Sequence, residues 1–473
     1  MAGGKLYQVL GTAIICTMGV NMGVIFAWPA FTLMLFQSQN TTLHRPMTDT
    51  EISLFSSMGC IGALISTPTA GYMLDRIGRK RSCILNATIL ALVWAILTVS
   101  RRVEMVLTAV LLSGVSFSVF VVAGVYISEI CEPSIRGTMT ATNMVSYGIG
   151  MLLSYLLGGY LQYDVMLYVG LSLAVSGTCS LFLLKESPIH LLSKGLEKEA
   201  IASIAFYRNL KPDSKEIIEE IGNMKRALNP ELDEATPEQE KLQPDLKPTE
   251  KISFWKFVKK SRSSRKAFFL NFVLMTAAIF QGLVVVQIYA ERLFSAAIPT
   301  VTPTLCSVIL AVAVTIAGIV AAFLTDLAGR RPLMIYASLG TGISCLVLGT
   351  QMHLHWGPTW ITAIFLYIYP VMYTCGAGTV PFVLISELFL PEVKSTFSMI
   401  LIEYACLCNF VILYIFNPLL KAVGWGPVFY IFATLSFLSS VFSFFLLPET
   451  KGLNVDEIQG LFVKKRTLKH EAA

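Results

Sequence analysis

Twelve apolar stretches, each long enough to cross a lipid bilayer, constrain this chain more than any other feature of its sequence. A membrane-spanning helix needs about 20 apolar residues, so twelve of them use about 240. Of the 473 residues, 55% are hydrophobic, which is enough for twelve spans. The pattern therefore predicts an all-α membrane protein with twelve transmembrane helices in two six-helix halves. The stretches lie at about 9–36, 52–74, 82–99, 104–128, 138–161, 165–184, 267–290, 304–325, 332–351, 359–386, 396–420 and 425–447.

A charged gap separates the first six stretches from the last six. Residues 185–266 hold 17 Lys/Arg and 14 Asp/Glu, which is 31 of the 66 charged residues in the chain. Four prolines between Pro230 and Pro248 mark an irregular centre. We predict four segments: a six-helix half at 1–184, a cytoplasmic helical insert at 185–266, a second six-helix half at 267–450 and a cytoplasmic tail at 451–473. The tail carries the basic run Lys464-Lys465-Arg466, which can meet anionic lipid.

The distribution of basic residues predicts the orientation. If both termini and the insert share one side, the short loops and tails of that side carry 14 Lys/Arg and the other side carries 5. The positive-inside rule then places both termini in the cytoplasm. Asn40-Thr41-Thr42 is an N-glycosylation acceptor that this orientation places in the first exoplasmic loop. Asn40 is therefore a candidate glycosylation site.

The composition also argues against several classes of protein. Only 14% of the residues are charged, whereas soluble domains carry about 25%. The net charge of +6 follows membrane topology and does not indicate a nucleic-acid partner. The ten cysteines form no CxxC pair, and the sequence contains no metal-ligand cluster, nucleophile elbow or phosphate-binding glycine loop. We expect no enzyme activity, cofactor or metal; the expected partners are a small-molecule substrate and the bilayer.

The two halves repeat the same loop motifs. Asp75 and Arg79 after the second stretch match Asp326 and Arg330 after the eighth. Glu129 with Arg136 matches Glu387 with Lys394, and Glu186 matches Glu449. The three offsets are 251, 258 and 263 residues. Near-constant offsets of three unrelated motifs indicate the parallel duplication of a six-helix unit.

These charged helix ends form a candidate cytoplasmic gate. Acidic and basic residues that meet when the halves close, and separate when they part, can bias an equilibrium between two conformations. The alternative is that they only anchor helix ends and fix topology. The candidate gate residues are Asp75, Arg79, Glu129, Arg136, Glu186, Asp326, Arg330, Glu387, Lys394 and Glu449.

Together these motifs resemble the sugar porter family of the major facilitator superfamily, including the insect facilitated trehalose transporters and the animal facilitative glucose transporters. The resemblance rests on Gly71…Asp75-Arg76-Ile77-Gly78-Arg79-Lys80, Tyr126-Ile127-Ser128-Glu129 with Arg136-Gly137, Glu186-Ser187-Pro188, Asp326 with Gly329-Arg330-Arg331, and Pro448-Glu449-Thr450-Lys451-Gly452. It implies a multi-pass plasma-membrane transporter with a central substrate site that works by alternating access.

The expected sugar site departs from the family pattern. The family's seventh helix usually carries QQLSGIN, and this chain has Ala278-Ile279-Phe280-Gln281-Gly282-Leu283-Val284. Met144 stands at a usual glutamine, and Phe382 at a usual tryptophan. Either the polar residues have moved, or the substrate carries fewer hydroxyls, or affinity is low. The alternative for each amide is that it only hydrogen-bonds a neighbouring helix and binds no substrate. The candidate substrate-binding residues are Asn21, Asn143, Gln281, Gln287, Phe382 and Asn409.

The sequence also predicts how transport is driven. Proton-coupled relatives carry a carboxylate in the first helix and an arginine in the fourth. This chain has Asn21 at the first position, and residues 105–128 contain no arginine. We therefore predict facilitated uniport of a sugar or sugar-like solute, with Glu403 in the eleventh stretch as an unexplained carboxylate. The alternatives are a sugar porter-like sensor and a carrier of a less polar, non-sugar solute.

Overall fold

The computed structural model describes residues 2–228, 261–389, 391–453 and 455–463. The proline-rich centre of the predicted insert and the basic run Lys464-Lys465-Arg466 lie outside these residues. Within the described ranges the chain folds into helices joined by short turns, and no β-strand occurs there.

Six spans make up the first half. Span 1 is Ala2–Ala27, continued after Trp28 by Pro29–Gln37, and span 2 is Asp49–Ile77. Span 3 is Arg79–Val99, and span 4 consists of Val103–Val115 and Val119–Ile130 around the 3₁₀ turn Ser116–Ser118. Spans 5 and 6 are Pro133–Tyr160 and Tyr163–Leu181.

The second half repeats this arrangement. Span 7 is Arg262–Phe280 and Leu283–Ile288, followed by the helix Ala290–Ala297. Spans 8 and 9 are Pro303–Ala328 and Arg330–Leu354. Span 10 consists of Thr359–Cys375 and Val380–Glu387, and spans 11 and 12 are Pro391–Val423 and Trp425–Leu446.

Three insert helices, Pro188–Ser193, Glu197–Arg208 and Lys215–Leu228, follow span 6. Arg208 fastens them to the first half: its Nη1 donates to the Ile130 carbonyl at 2.9 Å and its Nη2 lies 2.6 Å from a Glu220 oxygen. A last helix, Val455–Val463, follows span 12. We call the face that carries these helices the insert face and the opposite one the far face.

Eleven of these helices, or runs of adjoining helices, are long and apolar enough to cross a membrane. Span 5 is the twelfth, and its 28 residues include Thr138, Thr140, Thr142, Ser146 and Ser154. Span 5 packs against span 1 inside the first half and against span 8 of the second. Because it packs against both halves, this span can carry more polar residues than a span that faces mainly lipid.

The packing repeats with a period of six spans. Spans 3 and 6, 1 and 5, and 2 and 4 pack together in the first half, as do spans 9 and 12, 7 and 11, and 8 and 10 in the second. Span 2 meets span 11 and span 5 meets span 8 across the boundary between the halves. This arrangement confirms the predicted all-α architecture of two pseudo-symmetric six-helix halves.

Candidate functional site

The two halves are joined at the far face by spans 2 and 11. Asp49 forms an ion pair with Lys421, and Asn417 Nδ2 donates to the Asp49 carbonyl at 3.3 Å. About two turns deeper in span 2, Ser56 Oγ donates to the Leu413 carbonyl at 3.4 Å. These contacts close the far face.

Span 7 contributes two further contacts between the halves. The Tyr289 hydroxyl donates to Ser56 Oγ at 3.0 Å, and the Tyr155 hydroxyl of span 5 donates to the Gln287 carbonyl at 2.9 Å. The side chains of Tyr289, Ser56 and Tyr155 are all buried. The far-face closure is therefore a buried polar network beneath an exposed ion pair.

Towards the insert face the halves separate. Glu403 of span 11 is half-buried, and its Oε1 has no hydrogen-bond partner within the described ranges. Gly148 of span 5 still touches Thr315 of span 8, but Met144, one turn nearer the insert face, is 59% exposed. Of the ion pairs within the described ranges, none joins the halves at the insert face. We infer that a cavity between the halves opens to the insert face.

Two spans of the second half are broken. Span 7 stops at Phe280, passes through Gln281 and Gly282, which has a φ of +87°, and restarts at Leu283. Span 10 breaks between Cys375 and Val380. Broken helices within the membrane free polar groups of the backbone and are typical of transporter binding sites.

Gln281 lies at the first break with an unsatisfied side chain. The residue is fully buried, and its carbonyl accepts a hydrogen bond from the Tyr369 hydroxyl at 2.6 Å. Neither atom of its side-chain amide has a partner in the part of the chain that the structure describes. Because an unpaired buried amide is costly, this side chain is a strong candidate for binding a polar ligand or water.

The other candidates of the second half occupy different positions. Asn409 is half-buried; its Nδ2 donates to the Ala405 carbonyl at 2.9 Å, and its Oδ1 has no partner among the described residues. Phe382 lies beyond the break of span 10 and is 51% exposed. Gln287 is nearly buried beside the closed far face.

The two asparagines of the first half face neighbouring helices. Asn21 Nδ2 donates to the Thr17 carbonyl at 3.0 Å and approaches the Leu173 carbonyl of span 6 at 3.4 Å. Asn143 lies against Gly19 of span 1. Both are buried, and the Oδ1 atom of each has no partner among the described residues, so their binding role stays a prediction.

Aromatic rings border the cavity. Tyr147 of span 5 contacts Phe26 of span 1 and Phe120 of span 4, with ring centroids 5.7 and 5.3 Å apart. In the second half, Phe272 stacks on Tyr404 at 3.9 Å. All five rings are half-buried. Span 1 is enclosed by spans 3 to 6, so a partly accessible ring on it faces the cavity rather than lipid.

The predicted gate residues form one charged cluster in each half. Arg79 donates through Nε and Nη2 to Glu129 at 2.9–3.1 Å, and Glu186 Oε1 accepts the backbone N–H groups of Arg79 and Lys80 at 2.8 and 2.9 Å. Ser187 Oγ donates to Glu129. The cluster thus fastens the start of span 3 to the ends of spans 4 and 6.

The second half reproduces this cluster. Arg330 Nη2 donates to Glu387 at 2.7 Å, and Glu449 accepts the backbone N–H groups of Arg330 and Arg331 at 2.9 and 3.1 Å. Thr450 Oγ1 donates to Glu387 at 2.7 Å. Burial acts to raise the pKa of Glu449, but its backbone N–H donors outweigh burial and lower it.

The remaining gate candidates are peripheral. Asp75 lies 3.8 Å from Arg79 and Asp326 3.2 Å from Arg330, and both acids are mostly exposed. Arg136 and Lys394 are exposed and take part in no ion pair within the described residues. Each cluster therefore lies within one half, and a gate that joins the halves stays a prediction about a different conformation.

A family model described as "Sugar (and other) transporter" matches residues 10–462. The chain belongs to this transporter family. The facilitated trehalose transporter Tret1 of Culex quinquefasciatus is 23% identical over 96% of this chain and 85% of its own length. The sugar transporter ERD6-like 7 of Arabidopsis thaliana is 26% identical over 88% of this chain and 86% of its own. The chain spans only 54% of the longer Tret1 of Aedes aegypti.

Solved transporter structures share the fold. The inward-open conformation of the xylose transporter XylE from E. coli has a TM-score of 0.76, with 19% identity over 95% of this chain and 98% of that one. XylE bound to 6-bromo-6-deoxy-D-glucose has a TM-score of 0.69.

Proposed function

We propose that this chain is a facilitative carrier that moves a sugar or sugar-like solute across a membrane by alternating access. The observation that carries the proposal is the arrangement of the halves, which are closed by a buried network at one face and separated at the other around broken spans. Family membership and the trehalose transporters among its relatives support a sugar as substrate. The insert face is the cytoplasmic face, as the excess of basic residues indicates, and the plasma membrane is the proposed location.

The aromatic lining favours a second candidate, a carrier of a less polar solute. Binding pockets commonly combine apolar and aromatic walls with few polar groups. Here the rings of Phe26, Tyr147 and Tyr404 accompany the unsatisfied amide of Gln281 at the break of span 7. Such a pocket suits a glycoside with an apolar substituent better than a fully hydroxylated hexose, because each unpaired hydroxyl would cost binding free energy.

Tracer flux in proteoliposomes tests the proposal. Purified protein should equilibrate labelled trehalose or glucose across the membrane and saturate with concentration. We expect competition from unlabelled glucose, fructose, polyols and aryl glucosides, in the order of their affinity for the binding site. Stronger competition by aryl glucosides than by the others would favour the second candidate. A sensor would bind these compounds without flux.

The mode of transport is tested in the same vesicles. We expect flux to be independent of an imposed proton gradient, because Asn21 takes the place of the family's proton-binding carboxylate. Sugar-driven proton uptake that is lost in Glu403→Gln would overturn the uniport proposal. Glu403→Gln that leaves flux and its pH dependence unchanged agrees with it.

A further inference from the structure

A concave, basic pocket lies on the insert face of the first half, outside the cavity between the halves. Its volume is about 590 Å³, and it is formed where span 2 ends, span 3 begins and span 6 passes into the insert. We define the basic pocket by its five cationic side chains, which come from all three segments. They are Arg76, Lys80, Arg81, Lys185 and Lys194.

The basic pocket keeps a net positive charge, because two carboxylates, Glu186 and Glu199, line it beside the five cations. None of the five cations forms an ion pair with another described residue. The nearby carboxylate of Glu186 is already engaged by the backbone N–H groups of Arg79, Lys80 and Ser187. Glu186 attracts the Lys80 ammonium, while Lys185 and Arg81 repel it. An anion in the pocket would relieve this repulsion.

The internal duplication shows that the helix-end cluster does not need these cations. Arg79, Glu129 and Glu186 have matched partners in the second half, at Arg330, Glu387 and Glu449. By the same offsets, Arg76 corresponds to Leu327, Arg81 to Pro332 and Lys185 to Pro448. The second half keeps the cluster without these three cations, so they have a role other than holding helix ends.

Apolar side chains complete the basic pocket. Phe182 and Leu183, at the end of span 6, are 61% and 70% exposed, and Leu196 of the insert is 44% exposed. Lys80 Nζ donates to the Phe182 carbonyl at 3.0 Å, which places one cation beside this apolar edge. A ligand that fits therefore has an anionic group joined to a hydrocarbon portion.

We propose that the basic pocket binds the phosphate-bearing headgroup of an anionic phospholipid. The pocket lies at the membrane boundary, where the headgroups are found, and basic pockets between transmembrane helices on the cytoplasmic side are a recognised way to bind such lipids. Only the choice of the cytoplasmic leaflet rests on the proposed function. Glu186 and His190 line the same pocket, so a bound lipid would contact the charged cluster of the first half directly.

Lipid binding to the purified full chain in detergent tests this proposal without a transport assay. Native mass spectrometry would count bound phosphatidylinositol 4,5-bisphosphate and, for comparison, phosphatidylcholine. The variant with Arg81→Gln, Lys185→Gln and Lys194→Gln should bind the anionic lipid at least tenfold more weakly. The variant with Lys198→Gln, Lys211→Gln and Lys215→Gln removes the same charge from exposed positions on the insert and should bind as the wild type does.

The outcomes separate the possible ligands. Equal lipid binding by the pocket variant and the wild type, or equal losses in both variants, would overturn the proposal. Tight binding of free inositol trisphosphate, as strong as that of the lipid, would replace the lipid with a soluble phosphate ligand. Equal melting temperatures of wild type and pocket variant in phosphatidylcholine alone would show that the variant is folded. If the pocket variant melts lower, the single exposed change Lys194→Glu should still weaken lipid binding.

Discussion

The unsatisfied amide of Gln281 gives the sharpest prediction at the scale of a single residue. In Gln281→Leu the side chain keeps its approximate size but loses its hydrogen bonds to substrate. A lost hydrogen bond of this kind costs about 1–2 kcal/mol, so the apparent affinity for the transported sugar should fall about 5- to 30-fold. The apparent KM for zero-trans uptake in proteoliposomes measures this change.

Asn271 offers a matched control for that experiment. It is also fully buried, also lacks a described partner for its side-chain amide, and lies in span 7 ten residues before Gln281. That separation is about 15 Å along a helix. Asn271→Leu should leave the KM unchanged. A normal KM in Gln281→Leu, or an equal rise in both variants, would place the binding site elsewhere.

Protonation of His190 should weaken the charged cluster of the first half. Its Nδ1 lies 3.0 Å from Arg79 Nη1, so the neutral ring accepts a hydrogen bond from the guanidinium. Burial lowers the pKa of His190; Arg79 and Lys194 act in the same direction, while Glu186 and Glu129 oppose it. The unfolded chain therefore takes up a proton first. The stabilisation is complete above about pH 6.5 and is lost as the pH falls through the lower pKa of the folded state.

We therefore expect the wild-type melting temperature to fall more steeply between pH 7 and pH 5 than that of His190→Gln. The glutamine cannot be protonated, so its variant reports the contribution of all other groups. Parallel pH profiles of the two proteins would contradict the assignment of His190 as the titrating group.

At the scale of the helices, the glycines between paired spans leave room for a carboxylate cap. In each cap a glutamate accepts the first backbone N–H groups of span 3 or span 9. Gly78 joins spans 2 and 3 with a φ of +102°, and a Cβ there would lie 2.6 Å from a Glu186 oxygen. Gly329 joins spans 8 and 9 with a φ of +91° and a Cβ position 2.7 Å from Glu449. An L side chain is strained in this backbone region and would also displace the cap.

Gly78→Ala or Gly329→Ala should therefore lower stability by about 1–3 kcal/mol. Thermal unfolding of the purified protein, followed by tryptophan fluorescence, measures this loss. Gly71→Ala is the control, because it lies inside span 2 with open space around its Cβ position. An equal melting temperature for Gly78→Ala and Gly71→Ala would show that the cap tolerates a side chain.

The helices themselves could be predicted from the sequence, but not the faces that they present. Twelve apolar stretches predict twelve spans, because length and hydropathy decide what crosses a bilayer. Asn143 and Met144 are neighbours, and only packing shows that Asn143 faces span 1 while Met144 faces the cavity. Tyr147 and Tyr404 could not be selected for a related reason: in an apolar span, the sequence does not distinguish a ring that lines a cavity from one that packs in the core.

At the scale of the whole molecule, the loop charges were found from the sequence, but their partners depend on conformation. The repeat offsets identified the residues of both clusters. The pairing within each half, Arg79 with Glu129 and Arg330 with Glu387, requires the fold. Pairing across the halves at the insert face belongs to a state that closes this face, and it stays a prediction.

The far-face closure provides the test of alternating access. Asp49 and Lys421 form an exposed ion pair between the halves, and the Asp49 carbonyl also accepts a hydrogen bond from Asn417. An exposed pair contributes about 0–1 kcal/mol, which corresponds to at most about a fivefold change in a two-state equilibrium.

In Asp49→Asn with Lys421→Gln, the population should move by this amount towards the conformation that is closed at the insert face. Hydrogen exchange measured by mass spectrometry should then rise in residues 38–48 and fall around Met144. Neutralising the ion pair Arg101 with Asp164, which lies within the first half, should produce neither change. If both double variants exchange as the wild type does, the far-face ion pair does not set the balance between the two conformations.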